Sequence, residues 1–138
     1  GLYRAVADRW RAEEPAVAED PGTLADLVGA YARVTIEQPD LLRLLVREGL
    51  DSDTTTAGDD EAQYRRFQGM LADFRRRQSE GELPDDVDPA YAALALFGIS
   101  AAPVVFPQIA RALGIDPIDA SQYAEQAARL VEQLRSRP

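Results

Sequence analysis

Apolar and polar positions follow a helical period along this chain, and the pattern changes character once. Leu2, Tyr3, Val6 and Trp10 recur at helical spacing with Arg4, Asp8, Arg9 and Arg11 off the stripe. They predict an amphipathic helix over residues 2–14, ended by Pro15 and the later Pro21-Gly22. Thr23 is placed to cap a second helix, with Asp26 near its positive end and Leu24, Leu27, Val28, Tyr31 and Val34 on its apolar face. Pro39 opens a third helix filled by Leu41, Leu42, Leu44, Leu45 and Val46, and Gly49-Leu50 fits a left-handed cap at its end. Residues 51–60 hold no periodic apolar position and read as a polar loop. A fourth helix, from about Asp60 to Glu80, turns Tyr64, Phe67, Leu71 and Phe74 inward with Gln63 and Met70 at their flanks; Gly81 and Pro84 end it.

The pattern then changes. Asp88-Pro89 is a strong helix start, and from Pro89 to Ala110 the phenol of Tyr91 is the sole ionisable side chain. Tyr91, Ala95, Gly98, Ala102, Val105 and Ile109 form one stripe; Ala92, Leu96, Ile99, Pro103, Phe106, Ala110 and Leu113 form another. A helix that is apolar all round has to be covered all round. Pro103 is expected to break or kink it just before that point, and Gly114-Ile115 to close it. Asp116-Pro117 or Asp119 caps a last helix with the stripe Ala120, Tyr123, Ala124, Ala127, Leu130, Val131 and Leu134. No strand alternation and no fixed-period repeat appears. The expectation is a single all-α domain of six helices over residues 1–138.

What covers the second face of the apolar helix is the main question left by this pattern. A membrane is rejected, although the run is about as long as the roughly 20 residues of a span. Alanine, glycine and serine dilute it, two prolines interrupt it, and no Lys/Arg bias flanks it. Small residues allow close helix approach, and the last helix carries a small-residue stripe too. Both are expected to meet symmetry copies in an isologous homodimer, with Ala95, Gly98, Ala102, Val105, Ile109, Tyr123, Ala127, Leu130 and Leu134 at the interface.

At 138 residues the chain suits one domain with a real core, since roughly two-thirds or more of its unfolded surface can be buried at that size. Its net charge of −9, carried against arginines alone with no lysine, disfavours nucleic acid phosphates. The absence of cysteine and histidine excludes disulfides, thiol chemistry, histidine-based triads and histidine metal sites. Asp51, Asp53, Asp59 and Asp60 do not make a calcium loop, because Thr56 and Ala62 stand where glycine and glutamate are needed. Arg75, Arg76 and Arg77 read as a solvated face, not a phosphate site. Neither a metal nor a cofactor is expected. The aromatics Trp10, Tyr31, Tyr64, Phe67, Phe74 and Phe97, with Met70, are the candidates for lining a pocket between helices.

Leu2-Tyr3-Arg4-Ala5-Val6 resembles the stretch just after the DNA-reading helix of TetR-type transcriptional regulators. Gln38-Pro39-Asp40-Leu41-Leu42-Arg43-Leu44-Leu45 is similar to the third helix here of many such proteins. Gly81-Glu82-Leu83-Pro84-Asp85 through Asp88-Pro89 resembles their approach to the dimer helices. The resemblance implies a C-terminal regulatory domain whose last two helices form a four-helix bundle with a partner's. The earlier helices then enclose an unknown small, mostly hydrophobic ligand, and residues 2–14 are the linking helix that shifts on binding, with Trp10 near the pocket floor. It also implies a cytoplasmic regulator, most simply a repressor, that meets operator DNA only through a helix-turn-helix absent from this chain. Two other readings remain: a helical protein–protein interaction module with a solid core, and an enzyme using carboxylates and tyrosines. The second needs convergent acids, whereas most acids here fall on outer faces or loops.

Overall fold

The computed structural model describes residues 22–51 and 57–135. The expected linking helix over residues 2–14, with Trp10, lies outside them. Among the described residues there are six helices and no strand: α1 Leu24–Glu37, α2 Asp40–Leu50, α3 Ala57–Ser79, α4 Pro89–Val105, α5 Pro107–Ala112 and α6 Ala120–Glu132.

Local chemistry sets most of the boundaries. Thr23 and Asp26 form a full capping box, Thr23 Oγ1 accepting from the Asp26 N–H and Asp26 Oδ2 from the Thr23 N–H, each at 3.1 Å. Asp88 and Asp119 cap α4 and α6 through the Ala90 and Gln122 N–H groups. Of the two starts expected for the last helix, the Asp119 cap is the one used. Gly81 and Gly114 take positive φ after α3 and α5, and each closes its helix with the Schellman pair of hydrogen bonds: Glu82 to Arg77 and Gly81 to Gln78, Ile115 to Ala110 and Gly114 to Arg111. Gly49 does not play that part. It stays inside α2, which runs on to Leu50 and ends when the Asp51 N–H bonds back to Arg47 and Glu48. The fourth predicted helix begins earlier than expected, at Ala57.

The apolar helix does divide, but not at Pro103. α4 continues through Pro103 to Val105 and breaks at Phe106, ahead of Pro107. The residue before a proline is pushed out of the helical region, and Pro107 can start the next helix at no cost to its hydrogen bonding. Pro103 is tolerated because other helices supply the missing partners. It has no N–H for the Ile99 carbonyl, and it crowds the backbone around the next one. The Tyr123 hydroxyl, from α6, donates to the Ile99 carbonyl at 2.5 Å, and the Thr35 hydroxyl, from α1, donates to the Ser100 carbonyl at 2.9 Å.

The main core joins α1, α3, α4 and α6, with Leu24, Val28, Phe74, Leu83, Leu96, Ala127 and Val131 buried together. α1 and α6 pack along much of their length. Gly29 makes this possible, since a Cβ there would sit 3.2 Å from the Ala124 carbonyl oxygen and 3.6 Å from the Ala128 Cβ. The small-residue stripe of α6 is therefore used within the chain. Ala127, expected at a dimer interface, is only 2% exposed and belongs to this core.

One arginine of the expected solvated face is a second correction. Arg75 and Arg76 are exposed, but the Arg77 side chain is 0% exposed. Its Nε donates to Asp73 Oδ2 at 2.7 Å, and its Nη1 to the Gly22 carbonyl and to Glu82 Oε2, both at 3.1 Å. Glu82 Oε1 also accepts the Leu24 N–H at 2.6 Å. The start of α1, the C-terminal half of α3 and the following turn are thus tied at one buried point. Burial pushes the Asp73 carboxyl up, but the Arg77 and Arg76 hydrogen bonds outweigh it and hold the group below its ordinary value. Helical spacing alone suggested the outer face; the acids at Asp73 and Glu82, within reach on either side, were the signal for burial.

Candidate functional site

Two neighbouring hollows lie among α1, α3 and α4. The inner one, about 40 Å³, is walled by Leu27, Val28, Tyr31 and Thr35 of α1, Met70 and Phe74 of α3, and Ala93, Leu96, Phe97, Ser100 and Ala101 of α4. The outer one, about 330 Å³, lies between α3 and α4 and is walled by Phe67, Met70, Leu71, Ala90, Ala93, Leu94 and Phe97. Met70, Ala93 and Phe97 belong to both walls, so the two chambers adjoin at these three residues. Phe97 is held by Phe67, whose ring meets it edge to face at 6.0 Å and 81°.

Five sequence candidates therefore come together here: Tyr31 and Phe74 on the inner wall, Phe67 on the outer wall, Met70 and Phe97 on both. Tyr64 does not join them. It lies about one turn before Phe67 on α3, lines neither chamber and is 65% exposed. Its stripe has the right direction, but at this turn of α3 the side chain is left in solvent. Trp10 lies outside the described residues. The residues that sequence reasoning missed are small or aliphatic, chiefly Ala93, Leu96, Ser100, Ala101 and Thr35. They carry no distinguishing chemistry, and only helical register relative to Phe97 could have pointed to them.

The walls are almost wholly carbon. Thr35 and Ser100 spend their hydroxyl protons on backbone carbonyls: Thr35 shares its single proton between Ala32 and Ser100, each at 2.9 Å, and Ser100 donates to Leu96 at 3.3 Å. Among the described residues no cluster of three or more acids can hold a metal. A separate hollow of about 200 Å³, beyond the end of α1, has a different character, with Arg43, Arg111 and Asp116 set among apolar residues such as Ile36, Pro103 and Ile118.

Most of the expected interface residues are exposed or partly exposed. Ala95 and Gly98 of α4, Ile109 of α5, Leu130 of α6 and Leu134 in the turn after it are exposed; Ala102 and Val105 are partly so. Tyr91, Leu94, Phe106 and Leu113 add exposed apolar area on α4 and α5 and near them. A Cβ built on Gly98 meets nothing within 4 Å. Tyr123 is half-buried and turns its hydroxyl inward to Ile99, and burial raises its pKa above the usual 10.0. No described helix is long and apolar enough to cross a membrane.

A family model for the tetracyclin repressor-like, C-terminal domain matches residues 23–135. Among curated proteins and among solved structures, nothing matches at a significant level.

Proposed function

Since the chain belongs to the tetracycline repressor-like C-terminal domain family, we propose that it is the ligand-sensing and dimerisation domain of a transcriptional repressor, acting by binding and not by catalysis. The carrying observation is the paired apolar cavity among α1, α3 and α4, built from the aromatic side chains that helical spacing turned inward. A solid core would have favoured a plain interaction module. The outer chamber reaches the size range of small-molecule sites, roughly 300–1,000 Å³.

In this reading, two copies meet through the outer apolar surface of α4, α5 and α6, around Ala95, Gly98, Ile109, Leu130 and Leu134. A ligand between α1, α3 and α4 favours one position of residues 2–14 relative to that dimer core. The helix-turn-helix that the family carries ahead of this domain then changes its grip on operator DNA. The mechanism is a population shift, and its size is set by how differently the ligand binds the two states.

The cavity half is tested by thermal denaturation against a panel of small molecules, with Ala93→Phe as the control that fills both chambers. Stabilisation of the native chain that this variant abolishes supports the site; stabilisation that the variant leaves intact sinks it. The coupling half is tested by the emission of Trp10, the single tryptophan. A cavity ligand should shift it. An unchanged spectrum at saturation counts against motion of residues 2–14.

A further inference from the structure

Building on that cavity reading, we propose that the ligand is an uncharged molecule with a linear hydrocarbon tail, and that the tail passes between Met70 and Phe97 into the inner chamber.

The neutrality follows from the walls. Of the side chains lining the two chambers, the Tyr31 phenol is the only ionisable one, and Tyr31 already has an interaction partner. The Thr35 and Ser100 hydroxyls face their backbone acceptors, and their oxygens add almost nothing to the inner surface. A carboxylate or ammonium placed there would lose its water and gain no partner, which is strongly unfavourable. An alcohol, ester or hydrocarbon avoids that loss if its polar end stays in the outer chamber, which lies nearer the surface through the exposed Ala90 and Leu94.

The shape follows from the junction of the two chambers. The inner chamber, at about 40 Å³, is small beside its neighbour of about 330 Å³, and only the side chains of Met70, Ala93 and Phe97 are common to their walls. Met70 is the adaptable member of the junction, with three rotatable bonds and no branching. Phe97 is the fixed member, braced by Phe67. A flexible thioether beside a braced ring passes an unbranched chain and obstructs a bulky ring system. Affinity should then rise by about fourfold per methylene while the tail enters apolar space, and stop rising once the inner chamber is full.

The test is calorimetric titration of the whole chain with 1-hexanol through 1-dodecanol, and with decanoate and decylammonium as charged matches for 1-decanol. The alcohols should bind with the stepwise gain and plateau, and the two ions should bind about a hundredfold more weakly than 1-decanol. Ala101→Leu, which narrows only the inner chamber, should move the plateau to shorter alcohols and leave 1-hexanol unchanged. Phe97→Ala, which widens the junction, should strengthen binding of the longest alcohols and serves if Ala101→Leu does not fold by circular dichroism. Decanoate binding as tightly as 1-decanol, and lost in Ala93→Phe, overturns the neutrality while leaving the cavity reading in place. Affinity independent of chain length, or unmoved by both Ala101→Leu and Phe97→Ala, overturns the tail placement. If no alcohol binds, or Ala93→Phe leaves binding intact, the cavity reading falls together with the proposal.

Discussion

α4 and α6 carry the same sequence signature, a stripe of small residues at helical spacing, and the chain treats the two stripes in opposite ways. The stripe of α6 is covered within the chain: Ala124 and Ala128 lie under Gly29 of α1, and Ala127 is buried beside them. The stripe of α4 is bare, with Ala95 and Gly98 exposed and open space over Gly98. Small residues thus announce close approach without saying to what. The stripe of α6 has an opposing glycine, Gly29 of α1, that lets the two backbones approach; the outer stripe of α4 has no such neighbour over Gly98.

The sharpest way to break that comparison is Gly29→Leu. A branched side chain aimed at the Ala124 carbonyl forces α1 and α6 apart, and urea denaturation should show a loss of about 3 kcal/mol or more. A stability near that of the native chain would mean the seam is loose. Tyr123→Phe comes next, because it touches both stripes. It leaves the Ile99 carbonyl of α4 without its donor and should cost about 1–3 kcal/mol. Its effect also has a pH signature. The pKa of Tyr123 is raised on folding, so its contribution is complete below the ordinary tyrosine value and is lost as pH rises through the folded value. Alkaline unfolding of the native chain should therefore lose a component that the phenylalanine variant lacks from the start. Gly98→Leu should not disrupt the fold: the space over it is open, and replacing a glycine inside a helix should leave stability unchanged or raise it by up to about 1 kcal/mol. If two copies meet as proposed, it should nonetheless weaken self-association in sedimentation velocity, and unchanged association would remove the bare α4 stripe from the proposed interface. Leu130→Ser on the outer side of α6 should weaken association less, being a single truncation at an exposed position.

The sequence was most legible where structure is local. Thr23, Asp88, Asp119, Gly81 and Gly114 act on groups within five residues of themselves, and each stands where the pattern put it, except that Asp119 was one of two starts the pattern offered. Pro103 was misread because its outcome depends on hydroxyls 68 and 20 positions away in sequence, at Thr35 and Tyr123. Arg77 was misread for the same reason, since one of its partners is the Gly22 carbonyl across the fold. At the cavity, large side chains on inward stripes were recognisable. Tyr64 shows the limit of that signal: periodicity gives the direction of a side chain and not whether anything covers it. The alanines and hydroxyls of the wall had no signal of their own.

The support beneath Pro103 also bears on the order in which the chain can assemble. In an isolated segment spanning residues 89–105 only water can replace the partner that Pro103 takes from the Ile99 carbonyl, so the last turn of the helix is weak. That turn gains its hydroxyl donors only after α1 and α6 have docked. The N-terminal part of α4 can form early from its own cap, whereas its C-terminal turn is a late, non-local acquisition. Amide hydrogen exchange should record that division along a single helix, with protection around Ala92 to Leu96 outlasting protection around Val104 and Val105.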